Sequence, residues 1–181
     1  FDRVFYGILI FTAFICRHDV NVVGVAIIIL IQRLAEELGW FFLLSDYDIV
    51  VRSLFYLLAG VGAYFFKHDK LCRLLILSLV VAVSCEAYWY LNEIKPAAIH
   101  WFVFTMTLGI ATRYMIFLRV SYTEDWFKDK ANSINLDWHI YKLNAVSALA
   151  QFAMVIEYAI RNAIGFKKAL YVYYAYPYVM A

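Results

Sequence analysis

Long apolar stretches with few charges constrain the fold of this chain more than any other feature. A helix needs about 20 mostly apolar residues to cross the hydrocarbon core of a bilayer, within a range of about 17–25. Three stretches meet this requirement: residues 49–66, 71–91 and 98–120. A fourth, residues 141–164, has an apolar centre at 145–156. Because unpaired backbone is costly in lipid, each crossing must be a complete helix, and we predict an all-α integral membrane protein.

The composition agrees with this prediction and limits the partners. Only 17% of the 181 residues are charged and 65% are hydrophobic, whereas about 25% of the residues of a soluble domain are charged. The net charge of +2 comes from basic residues that are scattered singly. We therefore expect membrane lipids, further copies of the chain or other membrane subunits as partners, and no nucleic acid.

The N-terminal part is harder to assign. Residues 4–16 form a short apolar run, and residues 20–42 are apolar except for a polar stripe that contains Gln32, Arg33, Glu36 and Glu37. We predict two short or tilted helices here, which makes six transmembrane helices in total. In the alternative, this region is a re-entrant hairpin or an interfacial helix, and the chain crosses the membrane four times.

An internal repeat favours six crossings. A shift of fifty residues aligns Phe5-Tyr6 with Phe55-Tyr56, Arg17-His18-Asp19 with Lys67-His68-Asp69, and Glu36 with Glu86. Duplicated units of this kind occur in many membrane folds. We predict a duplication of about 50 residues, in which each unit is a helical hairpin with a tight polar turn and an acid late in its second helix.

The hairpins divide a single transmembrane domain, residues 1–181, into four parts. Hairpins occupy residues 1–44, 49–92 and 98–164, and the third is a looser copy whose connection projects from about Ser121 to His139. Residues 165–181 carry a cluster of tyrosines, whose amphipathic rings settle at the headgroup level of a bilayer. We expect this tail to lie along the interface or against a partner.

Charges within the apolar helices are the strongest functional signal, because ionisable groups in lipid usually face a partner or a cavity. Glu36, Glu86 and Glu157 all fall late in their helices and hence near one membrane face. One hypothesis is a proton or cation path lined by these three glutamates. The other hypothesis assigns each glutamate to an ion pair within its own hairpin.

Equal distance from a turn identifies one such pair. Arg52 lies sixteen residues before His68, and Glu86 lies seventeen residues after Asp69, which places the two charges at one depth. Arg3 has almost the same relation to Glu36 across the first turn. Glu157 has no equally clear partner, although His100 is within the predicted reach of it.

Two acidic motifs raise the question of a metal. If the first two hairpins are neighbours, His18, Asp19, His68 and Asp69 meet at one face, and imidazole with carboxylate binds divalent cations. Polar turns of this kind are also ordinary in membrane proteins. Asp46 and Asp48 have the spacing of a metal-phosphate site, but they are typical of a solvated connector as well.

Small residues in the third predicted helix indicate close packing. Ala59, Gly60, Gly62 and Ala63 form a face that lets another helix approach. This face favours helix association rather than chemistry.

Several enzyme signatures are absent from the sequence. It has no H-E-x-x-H, G-x-S-x-G, P-loop or G-x-G-x-x-G motif, and the three cysteines lack the spacing of a zinc site or disulfide framework. We therefore predict no cofactor and a non-enzymatic, polytopic membrane protein that is a subunit of a larger assembly or a homo-oligomer. The alternatives are a small transporter or a proton- or cation-conducting protein, and then a metal-dependent membrane-embedded enzyme. The size alone also matches phage-, defence- or immunity-type membrane proteins.

The orientation in the membrane is nearly undecided. With six crossings, nine basic residues lie on the face of the His18 and His68 turns and seven on the other. The positive-inside rule places the richer face in the cytoplasm. We predict a multi-pass protein of a cytoplasmic (inner) membrane.

Overall fold

The computed structural model describes residues 2–44, 49–93, 98–127, 130–163 and 170–180, and these residues form seven α-helices. The helices are α1 (Asp2–Ile15), α2 (Val20–Leu44), α3 (Ile49–Phe65), α4 (Cys72–Leu91), α5 (Ile99–Trp126), α6 (Asn135–Ala163) and α7 (Tyr171–Met180). The predicted all-α class is confirmed. Helices α1 to α4 begin and end within two residues of the predicted stretches.

Helix α5 is the centre of the bundle. It packs against α2, α3, α4 and α6, and its side chains Val103, Met106 and Ile110 are fully buried. At the periphery, α1 packs mainly against α2, and α7 packs mainly against α6. The central position of α5 brings residues from four neighbouring helices to the polar groups along its length.

Successive helices from α1 to α6 alternate in direction. Phe55 near the start of α3 contacts Phe104, and Phe66 after its end contacts Tyr114, so α3 and α5 run parallel. Helices α2, α4 and α6 run opposite to α5, because in each of them the later residue contacts the earlier part of α5. The contacting pairs are Gly39–Phe104 and Gly24–Arg119 for α2, Glu86–His100 and Ser78–Met106 for α4, and Asn144–Gly109 and Asp137–Arg119 for α6. The turns after α1, α3 and α5 therefore lie at one end of the bundle.

Small residues let α2 and α3 lie close to α5. A Cβ atom added to Gly62 would lie 2.5 Å from Thr107 Cγ2, and one added to Gly39 would overlap the ring of Phe104. Ala59 is fully buried against the same core. Close approach of this kind is how helices associate where lipid removes the hydrophobic driving force.

Three of the helices, α4, α5 and α6, are long and apolar enough to cross a membrane. Helices α1 and α3 are apolar but shorter, and α2 carries three charges in its second half, at Arg33, Glu36 and Glu37. The fold is therefore compatible with a membrane protein.

The connection inside the third hairpin is shorter than predicted. Helix α5 continues to Trp126 and α6 begins at Asn135, so much of the connection predicted from Ser121 to His139 is helical. The apolar stretches end at residues 120 and 141. The helices extend further than these stretches, and α5 and α6 pack against each other. Within the tail, residues 171–180 form helix α7.

The turns of the first two hairpins share one hydrogen-bond pattern at the fifty-residue offset. Asp19 Oδ1 accepts from Asn21 N at 2.9 Å, and Asp69 Oδ1 accepts from Leu71 N at 2.9 Å. The backbone repeats as well, with Asp19 N donating to the carbonyl of Cys16 at 2.8 Å and Asp69 N to that of Phe66 at 2.9 Å. Each aspartate satisfies backbone donors at the start of the next helix.

The two turns lie at different levels along α5. Asp69 contacts Arg113, whereas Asn21, just after the first turn, contacts Arg119. These arginines are six residues apart (119 − 113), which is about 9 Å along a helix. Because α5 packs between α2 and α3, the two turns share an end of the bundle without adjoining each other.

Candidate functional site

One end of the bundle is organised by buried arginines of α5, and we call it the arginine end. Arg119 is 3% exposed and makes a bidentate pair with Asp137 of α6, with Nε to Oδ1 at 2.8 Å and Nη2 to Oδ2 at 2.6 Å. Its Nη2 also donates to the carbonyl of Asn132 at 2.8 Å. Paired charges with several hydrogen bonds are the form in which a buried arginine is tolerated.

The same arginine joins the first hairpin to the connection between α5 and α6. Arg119 Nη1 donates to Asn21 Oδ1 at 3.1 Å, and that oxygen also accepts from Asn132 N at 2.9 Å. The Asn21 amide donates to the carbonyl of Lys130 at 2.9 Å. Gly24 leaves room for the arginine stem, since a Cβ there would lie 3.3 Å from Arg119 Cδ.

Arg113 ties the second hairpin to α6 in a similar way. Its Nε donates to Asp69 Oδ2 at 3.1 Å and its Nη1 donates to the carbonyl of Tyr141 at 2.9 Å. The guanidinium carbon lies 3.8 Å from the centre of the Tyr141 ring, which adds a cation–π contact. The two arginines therefore connect α5 to both N-terminal hairpins and to α6.

The opposite end, which we call the glutamate end, holds Glu36, Glu86 and Glu157. At its centre, Glu86 of α4 accepts from Arg52 Nη1 at 3.2 Å and from the Tyr56 hydroxyl at 3.2 Å. His100 Nδ1 lies 3.7 Å from Glu86 Oε1. The structure thus brings Arg52 and Glu86 into contact, as their equal spacing from the second turn predicts, and adds two groups from α3 and α5.

The histidine in this cluster is enclosed. His100 is 2% exposed, and its ring stacks on Phe55 at a centroid distance of 5.8 Å. In the part of the chain that the structure describes, neither His100 Nδ1 nor the buried Trp89 Nε1 has a hydrogen-bond partner. A buried polar atom without a partner is costly, so this end is less completely satisfied than the arginine end.

Glu36 has local partners. It accepts from Arg33 at 2.7 Å and from Gln32 at 3.0 Å, both one turn earlier in α2. The predicted pair with Arg3 involves a side chain outside the described residues. A cleft of about 330 Å³ beside Glu36 is lined by Phe5, Tyr6, Arg33, Glu36, Glu37, Trp40 and Trp101.

Glu157 is a helix cap. Its carboxylate accepts from the backbone of Val172 at 2.6 Å and of Tyr173 at 3.1 Å, which are donors in the first turn of α7. Negative charge and free N–H groups attract each other at a helix N-terminus. Glu157 therefore attaches the tail to α6, and Tyr176 continues the attachment by contacting the ring of Phe102 at 5.7 Å.

The three glutamates share an end of the bundle, but each has its own partners. Glu36 is paired within α2, Glu86 between α3, α4 and α5, and Glu157 between α6 and α7. His100 contacts Glu86 and not Glu157, which corrects the predicted pairing because α5 starts beside the end of α4. Among the described residues, no contact joins the three glutamates to one another along a single proton or cation path.

The residues proposed as metal ligands are placed apart. The staggered turns separate His18 and Asp19 from His68 and Asp69, and the described residues contain no cluster of three or more acidic, histidine or cysteine side chains that could hold a metal. Asp19 instead caps α2, and Asp69 accepts from Leu71 N, just before α4, and pairs with Arg113. Asp46 and Asp48 lie outside the described residues.

The small-residue face of α3 divides in two. Ala59, Gly62 and Ala63 are buried inside the bundle, so the helix they admit belongs to this chain. Gly60 faces the other way, with no atom within 4 Å of a Cβ placed on it. Packing of another copy or subunit at Gly60 stays a prediction.

Sequence reasoning missed Arg113, Arg119 and their partners. A signal for one pair was present, because Arg119 lies nine residues before Lys128 and Asp137 nine residues after it. That is the equal-distance relation by which Arg52 and Glu86 were matched. No local pattern indicates the contacts of Asn21, which lies 98 residues from Arg119.

We found no match to this chain among protein-family models, curated proteins or solved structures.

Proposed function

We propose that this chain is a non-enzymatic, polytopic membrane protein that acts as a subunit of a larger membrane assembly. In this proposal α1 to α6 are six crossings of a cytoplasmic (inner) membrane, and α7 lies at the glutamate end. Recognition takes place through helix surfaces, because the connections of the chain are short.

The exposed apolar surface of α1 is the observation that carries this proposal. This helix packs mainly against α2, and Val4, Phe11 and Phe14 are each at least 64% exposed. Its 14 residues reach about 21 Å, which is less than the thickness of about 30 Å of a hydrocarbon core. A short helix with a single neighbour is better accommodated when a partner helix covers it.

The polar clusters support a structural role for the charged residues. Arg119 and Arg113 engage carboxylates and backbone carbonyls of the same chain, and Glu157 engages the backbone of α7. These contacts use the charges to hold helices together. Stability of the subunit and recognition by partners are then separate properties, carried by different surfaces.

Substitution on the exposed face of α1 tests this proposal. The protein is purified in mild detergent at native expression, and its mass and bound proteins are measured for wild type and for Phe11→Ala. Phe65→Ala is the matched control, because Phe65 is 66% exposed and Phe11 is 64% exposed, on different helices. We expect Phe11→Ala to lower the fraction of assembled protein while Phe65→Ala leaves it unchanged, with the detergent melting temperature preserved in both.

A wild-type chain that is monomeric and has no bound protein subunit would contradict the proposal. So would an assembly that withstands Phe11→Ala combined with Phe14→Ala to the same degree as Phe65→Ala.

A second candidate function is proton or cation conduction through Glu86. The observation that favours it is the half-buried contact of Glu86 with Tyr56 and His100, which puts a carboxylate beside two further titratable groups. In liposomes, we expect Glu86→Gln to abolish the proton or cation flux. Glu93→Gln is the control, because it changes the charge equally at an exposed position after α4, and it should preserve the flux. Absence of flux in the wild-type protein would eliminate this candidate.

A further inference from the structure

A cleft of about 370 Å³ opens at the arginine end, where the turn after α3 meets α5 and α6. Its lining combines charged and polar side chains with aromatic ones. The lining residues are His68, Asp69, Lys70, Arg113, Tyr114, Phe117 and Tyr141. The cleft is separate from the Glu86 cluster, which lies at the other end of the bundle.

Arg113 is the polar group best placed to bind a ligand in this cleft. The residue is 6% exposed, and its orientation is fixed by Asp69, the Tyr141 carbonyl and the Tyr141 ring. Those contacts use Nε and Nη1. Within the described part of the chain Nη2 donates no hydrogen bond. The guanidinium group that lines the cleft is therefore held in a fixed orientation and can still donate from Nη2.

The charge of the cleft is positive. Asp69 is occupied on both oxygens, with Oδ1 accepting from Leu71 N and Oδ2 from Arg113. Lys70 is exposed at the rim, so with His68 neutral the lining carries two cations and one anion, a formal charge of +1. The N-terminus of α4, which starts at Cys72, adds its positive dipole at the same turn.

The level of the cleft matches that of lipid headgroups. Helices α3 and α4 have 17 and 20 residues, which correspond to about 26 and 30 Å, close to the thickness of a hydrocarbon core. Their shared turn therefore lies at the edge of that core if they cross it. Helices α5 and α6 continue beyond it, so Phe117, which is 72% exposed and one turn past Arg113, lies on the headgroup side of this level.

We propose that this cleft binds the phosphate group of an anionic phospholipid, with Arg113 Nη2 and the Lys70 ammonium group as donors. The inference rests on the proposed membrane location. An arginine and a lysine together suit a phosphate, since the guanidinium offers directed donors and the ammonium group a mobile charge. An anionic headgroup is preferred over a zwitterionic one because Asp69, the one carboxylate among the described lining residues, is already engaged by Arg113 and the backbone, which leaves the lining with a net positive charge.

The test compares two phospholipids with identical acyl chains. Purified wild-type protein in detergent is titrated with phosphatidylglycerol or phosphatidylcholine, and bound lipid is counted by native mass spectrometry alongside the melting temperature. Lys70→Gln is the test variant, and Arg17→Gln is its control because Arg17 is an exposed cation at the turn of the first hairpin, outside the cleft. A third titration uses inorganic phosphate as a soluble source of the same chemistry.

We expect the wild type to prefer phosphatidylglycerol, and Lys70→Gln to weaken that binding about fivefold. Arg17→Gln should retain wild-type affinity. Arg113→Lys is a second variant that keeps the charge but lacks the fork, and it should weaken the binding of both lipids, because both carry the phosphate, while keeping the preference for phosphatidylglycerol.

Equal binding of the two lipids, or equal losses in Lys70→Gln and Arg17→Gln, would overturn the proposal. Stabilisation by inorganic phosphate without any effect of phosphatidylglycerol would assign the cleft to a soluble phosphate and also overturn it. These results are independent of the assembly proposal: a monomer that prefers phosphatidylglycerol contradicts assembly alone, and an assembly without lipid preference contradicts the lipid site alone.

Discussion

The two ends of the bundle treat buried charge differently. At the arginine end, Arg119 makes four hydrogen bonds of 2.6–3.1 Å to three other segments of the chain, and two of them form its ion pair with Asp137. At the glutamate end, Glu86 has longer contacts of 3.2–3.7 Å. Its neighbour His100 retains a buried nitrogen without a partner among the described residues. Arg119 is paired through all three of its nitrogens, whereas the Glu86 cluster keeps a buried nitrogen without a partner among the described residues.

This difference separates stabilising charges from charges that remain available. Arg113 and Arg119 each join α5 to a different hairpin, so their loss should loosen the whole bundle. The contacts of Glu36 and Glu157 are local to one helix or to the tail, so their loss should be confined. Glu86 is an intermediate case. It links three helices, but its neighbour His100 keeps a buried nitrogen without a hydrogen-bond partner among the described residues.

Loss of Arg119 should have the largest effect. Arg119→Met leaves Asp137, whose side chain is 13% exposed, without its counter-ion and removes one of the hydrogen bonds of Asn21. We expect a loss of about 3–5 kcal/mol in the free energy of unfolding, as for other broken buried pairs. Thermal unfolding in detergent measures it, and Lys142→Met, an exposed cation at the same end, is the control.

The pair itself can be isolated by adding Asp137→Asn to Arg119→Met. The double variant should recover part of the loss, since no uncompensated carboxylate remains. Equal melting temperatures for Arg119→Met and Lys142→Met would remove the distinction between the two ends.

Changes at Arg52 and Glu86 should have intermediate effects. Arg52→Met and Glu86→Gln each remove one side of a half-satisfied cluster, so we expect losses of about 1–3 kcal/mol. The double variant should lose less than the sum of the two, because the residues contact each other. Strictly additive losses would mean that the contact contributes nothing to stability.

Loss of the Glu157 charge should have the smallest and most local effect. Glu157→Gln removes the charge at the start of α7, which should cost about 0.5–1 kcal/mol. Hydrogen exchange should accelerate at the amides of Val172 and Tyr173 and stay unchanged in α5. Glu93→Gln is the control, and exchange in α7 that matches this control would show that the carboxylate does not hold the tail.

Helix positions were largely predictable, because apolar length and polar turns are local properties. Residues 49–66 and 71–91 correspond to α3 and α4 almost residue by residue. The end of α5 and the start of α6 were not predictable in this way, since Arg119 and Asp137 look like interfacial charges until the two helices are placed side by side. The same holds for α7, whose first turn depends on a carboxylate in another helix.

The candidate sites were predictable only where a single turn relates the partners. Arg52 and Glu86 flank one turn, and counting from it matches their depth. Arg113 with Asp69 and Arg119 with Asn21 are contacts between hairpins, which depend on the stagger and on the central place of α5. Periodicity and spacing within one segment carry no information on either.

The central claim is that α1 to α6 are alternating crossings of the membrane. The most direct test is to determine which side of the membrane each end of the bundle faces. Single cysteines replace His18, His68 or Asn92 in a background without Cys16, Cys72 and Cys85, and an impermeant thiol reagent is applied to intact cells or sealed vesicles. Our account predicts that positions 18 and 68 react from the same side and position 92 from the opposite side. Labelling of positions 18 and 68 from opposite sides, or of 68 and 92 from the same side, would contradict it.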